Sequence, residues 1–195
     1  MTDVAALDAP TGRRTEIVAA ARSCFQRWGL AKTTMDDIAK EVGIARPNLY
    51  RYFPNKAALA SAVSAAESAR INDQRRARIP IEGSTARLIE ESVIMGLELA
   101  LADDYLVDLM TSDNQELVPA TIEDTDTRYD YWRPIFEHGR ARGELRDDTT
   151  DDDLLRWLSS VQLHFLSNRE LFPTIDEIAR DVRMFVVPAM VVATA

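Results

Sequence analysis

The sequence predicts an all-α protein: a group of short helices at the N-terminus, followed by a larger helical bundle. Three observations carry this. Apolar residues recur at three- and four-residue steps along almost the whole chain. No stretch of useful length alternates apolar and polar residues as a strand does, and no internal repeat or low-complexity segment interrupts the pattern. Thr, Asn, Gly and Pro stand where helices start and stop. With 195 residues, 46% of them apolar, the chain has material for a real core in one large domain or two small ones.

Residues 1–10, MTDVAALDAP, read as a flexible tail with no basic region leading into an apolar one, so no secretory leader is expected. Ile17, Ala20, Ala21, Cys24, Phe25 and Trp28 then share one helix face that ends at Gly29. Cys24, the only cysteine, lies on that face and reads as a packed thiol. It excludes an intramolecular disulfide and fits a reducing, cytoplasmic setting. In MDDIAKEVG, Thr34 is placed as the cap, Asp36 and Asp37 occupy the first turn and Gly43 ends the helix. The chain re-enters helix at once, with Pro47 in the first turn and Pro54 as the stop. Asn55 caps a long Ala-rich helix expected to reach about Arg70.

Residues 71–84, with Pro80 and Gly83, read as a connection. Ile89, Val93, Leu97 and Ala100 mark a buried helix, in which Gly96 offers room for a close helix crossing. A short piece around Tyr105–Met110 follows. Pro119 opens a long helix expected to end near Arg142, closed by Gly143 and bent at Pro134. Thr150 with Asp153, and Thr174 with Glu177, form capping boxes for the last two helices. The first carries Leu154, Leu158, Val161 and Phe165 on one stripe and Trp157, Val161 and His164 on another. In the second, Ile178, Val182, Phe185 and Ala189 line up.

Net charge is −9, unevenly spread: residues 1–60 hold nine Lys/Arg against six Asp/Glu, and residues 61–195 hold fourteen against twenty-six. A basic head on an acidic body suits a protein that meets phosphates with one end only. A short helix, a glycine-bearing turn and a second short helix make a helix-turn-helix, whose second helix lies in a major groove. That helix and the turn after it carry ARPNLYRYFPNK, rich in long donors and flat rings. Arg46 and Asn48, at its N-terminal end, can pair with guanine and adenine edges. Tyr50 and Tyr52 can donate to phosphate, and Lys56 stands ready to do so beside the next helix N-terminus.

The run TTMDDIAKEVGIARPNLYRYFPNKAAL resembles the DNA-binding region of the TetR family of transcriptional regulators. Thr34, Ile38-Ala39, Gly43-Ile44, Leu49-Tyr50, Tyr52-Phe53, Lys56 and Leu59 carry the likeness, which covers about residues 11–60. The resemblance implies a helix-turn-helix domain at 11–56 and a C-terminal ligand-sensing and dimerisation domain at 57–195. It implies a homodimer that binds a palindromic double-stranded DNA operator, most often as a repressor, and that a small-molecule effector releases. The DNA-facing set it implies is Thr34, Arg46, Pro47, Asn48, Tyr50, Arg51, Tyr52 and Lys56. Three residues depart from the family's pattern. Ala45 replaces a capping serine, Asp36 puts a negative charge beside the phosphate path, and Asn48 is longer than the usual small residue.

For the effector pocket, Tyr105, Tyr129, Trp132, Phe136, Trp157 and His164 are candidates, with ordinary core packing as the alternative for each. For the dimer interface they are Leu154, Leu158, Val161, Phe165, Ile178, Val182 and Phe185. Periodicity does not separate a subunit core from an obligate interface. A regulator of this fold without ligand response, working constitutively or through a protein partner, is the second reading. No phosphate-binding glycine loop, HExxH or Glu-x-x-His motif occurs, and His138 and His164 are the only histidines. No catalytic residue, metal ligand, cofactor or membrane span is therefore expected, and the chain is not read as an enzyme.

Overall fold

Nine α-helices and an isolated bridge between Leu145 and Val191 make up the regular structure of residues 10–111 and 125–192, which the computed structural model describes. The expected tail, apart from Pro10, and the expected helix start at Pro119 lie outside the described residues.

Helices α1 (Pro10–Trp28), α2 (Met35–Val42) and α3 (Arg46–Tyr52) form the head. Thr34 begins α2 through a capping box: its hydroxyl accepts from the Asp37 N–H at 3.2 Å, and the Asp37 carboxylate accepts from the Thr34 N–H at 3.0 Å. Those bonds hold the Asp37 carboxyl below its usual range. Gly43 ends α2 at φ 75°, where a side chain would be strained, and turns the chain straight into α3. Ala45, standing at the N-cap of α3, supplies no side-chain bond, as its side chain dictates. Ile17, Ala21, Phe25, Ile38, Leu49 and Phe53 close the core of the head.

Helix α4 (Lys56–Arg78) is capped by Asn55, whose side-chain oxygen accepts from the Ala58 N–H at 2.7 Å. It runs eight residues past the expected end at Arg70. The reason is chemical. Its buried face carries Ser64, Glu67, Asn72 and Arg75, so the apolar period that marks a helix in sequence fades while the helix continues. Glu67 is 3% exposed and pairs with Arg22 of α1 and with Arg70, at 2.8 Å from the latter. This ties the head to the long helix.

The body adds α5 (Thr85–Leu101), α6 (Asp104–Thr111), α7 (Thr125–Ala141), α8 (Asp151–Ser167) and α9 (Ile175–Asp181). Helix α7 continues through Pro134. Gly143, at φ 63°, closes the turn that follows. Both later capping boxes form as expected, Thr150 with Asp153 and Thr174 with Glu177. Leu88, Ile89, Val93, Leu97, Phe136, Leu158 and Val182 belong to the body's core. Helix α6 serves both cores: Tyr105, Leu106 and Leu109 pack into the head while Val107 packs into the body. Leu59, Ala60 and Val63 of α4 also belong to the head, so its packing extends past residue 56.

The last helix is shorter than its stripe predicts. After Asp181 the chain widens into one π turn, Val182–Val186, with the Val187 N–H as the cap donating to Val182, and then tightens into a 3-10 turn, Val187–Ala189. Pro188 has no N–H to continue an α-ladder, and the extra residue in the turn rotates the side chains beyond it. Phe185 thereby points outward, 64% exposed, while Val182 stays fully buried.

Candidate nucleic-acid interface

Helix α3 divides cleanly between support and display. Leu49 and Phe53, 0% and 1% exposed, anchor it on the head's core. Arg14 of α1 locks its end by donating to the Tyr52 carbonyl at 3.0 Å and lying over the Phe53 ring. Arg46, Pro47, Asn48, Tyr50 and Arg51 are all exposed. They lie on a helix that the Gly43 turn holds rigidly beside α2, so the head presents one polar, ring-bearing face. Thr34 is exposed at the start of α2 with its hydroxyl engaged in the capping box.

Arg46 is pre-set rather than loose. Its Nε lies 3.0 Å from Asp36 Oδ1, Nη1 donates to Asp36 Oδ2 at 3.2 Å, and Nη2 donates to the Tyr50 hydroxyl at 3.3 Å. The Tyr50 hydroxyl and the Asp36 carboxylate strengthen the hold of Arg46 on its proton. Asp36, which the sequence marks as out of place near phosphates, therefore has a partner on the next helix. An exposed pair of this kind is screened by water and adds little to stability, so it can exchange for another anion or a base edge. The Asn48 and Arg51 side chains make no hydrogen bond among the described residues.

Two of the expected DNA-facing residues sit differently. Tyr52 is half-buried and packs on the core of the head. Lys56, also half-buried, donates from Nζ to the carbonyls of Leu30, Ala31 and Thr33 at 3.1, 3.3 and 3.2 Å. It closes the loop between α1 and α2. The partners lie 23 to 26 residues away in sequence, beyond the reach of any local pattern.

The six candidate pocket aromatics do not converge. Tyr105 is buried in the head's core with its hydroxyl unpartnered among the described residues, and burial pushes its pKa up. Tyr129 is half-buried under Arg133. Trp132 and Phe136 stack at 6.0 Å inside the body, whereas Trp157 and His164 lie exposed on α8. An open cleft of about 620 Å³ between the end of α5 and the α8–α9 loop is lined by Glu98, Leu101, Arg169, Phe172, Pro173 and Ile175 among others, and by none of the six.

The interface candidates are mostly covered within the chain itself. Leu154, Leu158, Val161, Phe165, Ile178 and Val182 are all buried within this one chain, 0–7% exposed, and only Phe185 of the seven is open. The two stripes on α8 are real. Helical period gives the stripes but not which of them the chain's own α5 and α6 cover. Trp157, a pocket candidate by sequence, is 43% exposed, and Met184, on no sequence stripe, is 50% exposed. The sequence reading missed Arg75, 6% exposed between α4, α5 and α7, because a lone arginine in a polar-looking segment gives no signal.

Residues 17–63 match the sequence model of the bacterial regulatory proteins of the tetR family. An uncharacterized HTH-type transcriptional regulator of Mycobacterium tuberculosis is 27% identical over 105 residues, 54% of this chain and 52% of that one. EthR of the same species is 41% identical over 71 residues, 30% of this chain and 33% of EthR. The chain thus spans about half the length, or less, of these curated relatives. Among solved structures, FadR of Bacillus subtilis in complex with stearoyl-CoA superposes with a TM-score of 0.67 at 15% identity, covering 89% of this chain and 97% of FadR. SmeT, the repressor of the Stenotrophomonas maltophilia multidrug efflux pump SmeDEF, gives 0.60 at 19%, covering 92% and 90%. Residues 17–63 thus carry the tetR-family regulatory domain, and nearly the whole chain shares the fold of FadR and SmeT.

Proposed function

We propose that the protein is a cytoplasmic, homodimeric transcriptional repressor that binds a palindromic operator through α3 and is released by a small-molecule effector bound in the body. The observation that carries the reading is the display of Arg46, Asn48, Tyr50 and Arg51 on a helix that Leu49 and Phe53 anchor in the head's core. Such a helix can enter a major groove without any other part of the head having to move. Arg46 and Asn48 read base edges, and Tyr50 and Arg51 meet phosphates. Two heads are needed because one module of this size holds DNA weakly by itself. The outward residues of α8 and of the C-terminal turn, Trp157, Met184 and Phe185, supply apolar surface for the second subunit. Effector release is supported by the shared fold with FadR, crystallised with stearoyl-CoA, and repression by the shared fold with SmeT.

Selection of bound sequences from a random DNA pool tests this. The expected product is a palindrome with half-sites about one helical turn or slightly more apart, bound more weakly as salt rises because phosphate contacts release counterions. Recovery of no motif by a folded dimer, or of an asymmetric single half-site, would refute it.

A further inference from the structure

The first turn of α2 carries two successive carboxylates, and the structure gives them different work. Asp37 turns back on its own helix and closes the capping box with Thr34. Asp36 reaches across the Gly43 turn to Arg46, the first residue of α3. Its Oδ2 accepts from Arg46 Nη1 at 3.2 Å, and its Oδ1 stands 3.0 Å from Nε. The Oδ1 atom is shielded from water and accepts no hydrogen bond among the described residues, so the Arg46 charge is its compensation. On the other side of the guanidinium, Nη2 donates to the Tyr50 hydroxyl at 3.3 Å, and the centre of the Tyr50 ring lies 5.4 Å from Cζ. Arg46 is therefore held from two sides, by a carboxylate on α2 and by a phenol one turn along α3. Each terminal nitrogen still bears a second N–H, without an acceptor among the described residues. The Arg46 side chain stays within reach of a partner, 59% exposed beside a carboxylate that is 47% exposed.

A lone arginine on a DNA-facing helix takes any phosphate within reach, which adds affinity and carries no sequence information. Asp36 changes that balance. A phosphate drawn to Arg46 meets the Asp36 charge as well. Arg46 must then leave one anion for another or hold two side by side, and either way it gains little. A guanine edge instead presents two neutral acceptors, O6 and N7, which the unused N–H groups can meet while the carboxylate keeps its place. Base contact is added to the pair, whereas phosphate contact competes with it. We propose that Asp36 is a positioning residue for operator recognition, which aims Arg46 at a guanine edge and so lowers affinity for DNA in general while raising sequence discrimination. This deepens the DNA-reading half of the function proposed above and rests on it.

The test compares full-length wild type with Asp36→Asn, Asp36→Glu, Arg46→Ala and the double variant Asp36→Asn/Arg46→Ala. Affinity is measured for the selected operator, for every single-base-pair variant of it, and for an unrelated duplex of the same length. Arg46→Ala should flatten discrimination at one G·C pair, repeated symmetrically in the two half-sites. Asp36→Asn should lose about fivefold or more of the discrimination at that same pair and keep the rest of the profile. It should also bind the unrelated duplex about threefold to tenfold tighter, with a salt slope steeper by about one per head. Asp36→Glu, which keeps the charge, should retain most of the discrimination. In the Arg46→Ala background, Asp36→Asn should change no position of the profile, because its effect runs through Arg46. A profile for Asp36→Asn identical to wild type, with affinity shifted equally at all sites, would overturn the proposal and leave Asp36 a surface charge only. Flattening at a different base pair, or in the Arg46→Ala background, would overturn it by making Asp36 a base reader itself. Selection of no motif by the wild type would remove the operator reading and this proposal together, whereas the other two failures arise only with a motif in hand.

Discussion

Two buried charges stand on α4 about two turns apart, and the protein treats them in opposite ways. Glu67, at the junction with the head, is clasped by Arg22 and Arg70. Arg75, in the body, has rings and one amide around it and no anion among the described residues. The contrast extends to each region as a whole. The head turns the unused donors of Asn48 and Arg51 outward along α3 and leaves the Tyr105 hydroxyl unpartnered inside, while in the body Arg75 Nε is buried without an acceptor among the described residues. Unused outward donors suit a large anionic partner of the kind proposed above.

Substitutions can sharpen or break this contrast. Glu67→Gln should have the largest effect, lowering stability by about 2–3 kcal/mol in denaturant unfolding, because it leaves two arginines facing a neutral amide at a buried site. Stability unchanged in that variant would mean the junction charge is no more structural than Arg75. Gly96→Ala should follow at about 1–3 kcal/mol, since its methyl group takes the space of the Arg75 guanidinium. Only the body should respond, so the variant should keep its operator affinity. Lys56→Met should lower the midpoint by an amount equivalent to about 1–2 kcal/mol through the lost bonds to Leu30, Ala31 and Thr33. Any fall in operator affinity should be equal at every sequence, because the residue orders the loop and touches no base.

The smallest effect should be at Glu144, whose carboxylate accepts from both the N–H and the hydroxyl of Thr85 at 2.7 Å and so holds α5 to the α7–α8 turn. The Thr85 N–H, the Thr85 hydroxyl and Arg142 lower its pKa from an ordinary 4.5 to about 2. A depressed carboxyl stabilises the fold fully above about 4.5 and loses that contribution as pH falls towards 2. Glu144→Gln should therefore be less stable than the parent at neutral pH, and the two unfolding midpoints should converge as the pH is lowered through that window. Parallel pH curves would show that the carboxylate carries no such load.

How much of this is legible in the sequence follows from what is local. The head's architecture is written in near neighbours. Thr34 caps within three residues, Gly43 turns the chain within two, and Leu49 and Phe53 fall one helical turn apart. The body hides its organisation for the same reason in reverse. The α4 face beyond Arg70 is polar and buried, so a pattern built on apolar period ends too early. On α8 both stripes are visible, but which of them the chain itself covers depends on α5 and α6, and it is the Leu154–Leu158–Val161–Phe165 stripe that is buried. Phe185 escapes the core because Pro188 ends the α-ladder and a π turn precedes it. The place of Lys56 at a helix start suggests a phosphate contact, whereas its carbonyl partners are set by tertiary approach alone.

The account stands on base reading by α3, and Asn48 is its most direct probe, being exposed, uninvolved in packing and without a hydrogen-bond partner among the described residues. The measurement is the affinity of wild type and Asn48→Ala for the selected operator and for every single-base-pair variant of it. The account predicts that the substitution leaves folding unchanged and flattens discrimination at one symmetric position per half-site, by about 1–3 kcal/mol. An identical preference profile in the two proteins, with affinity unchanged or reduced evenly across all sites, would contradict it.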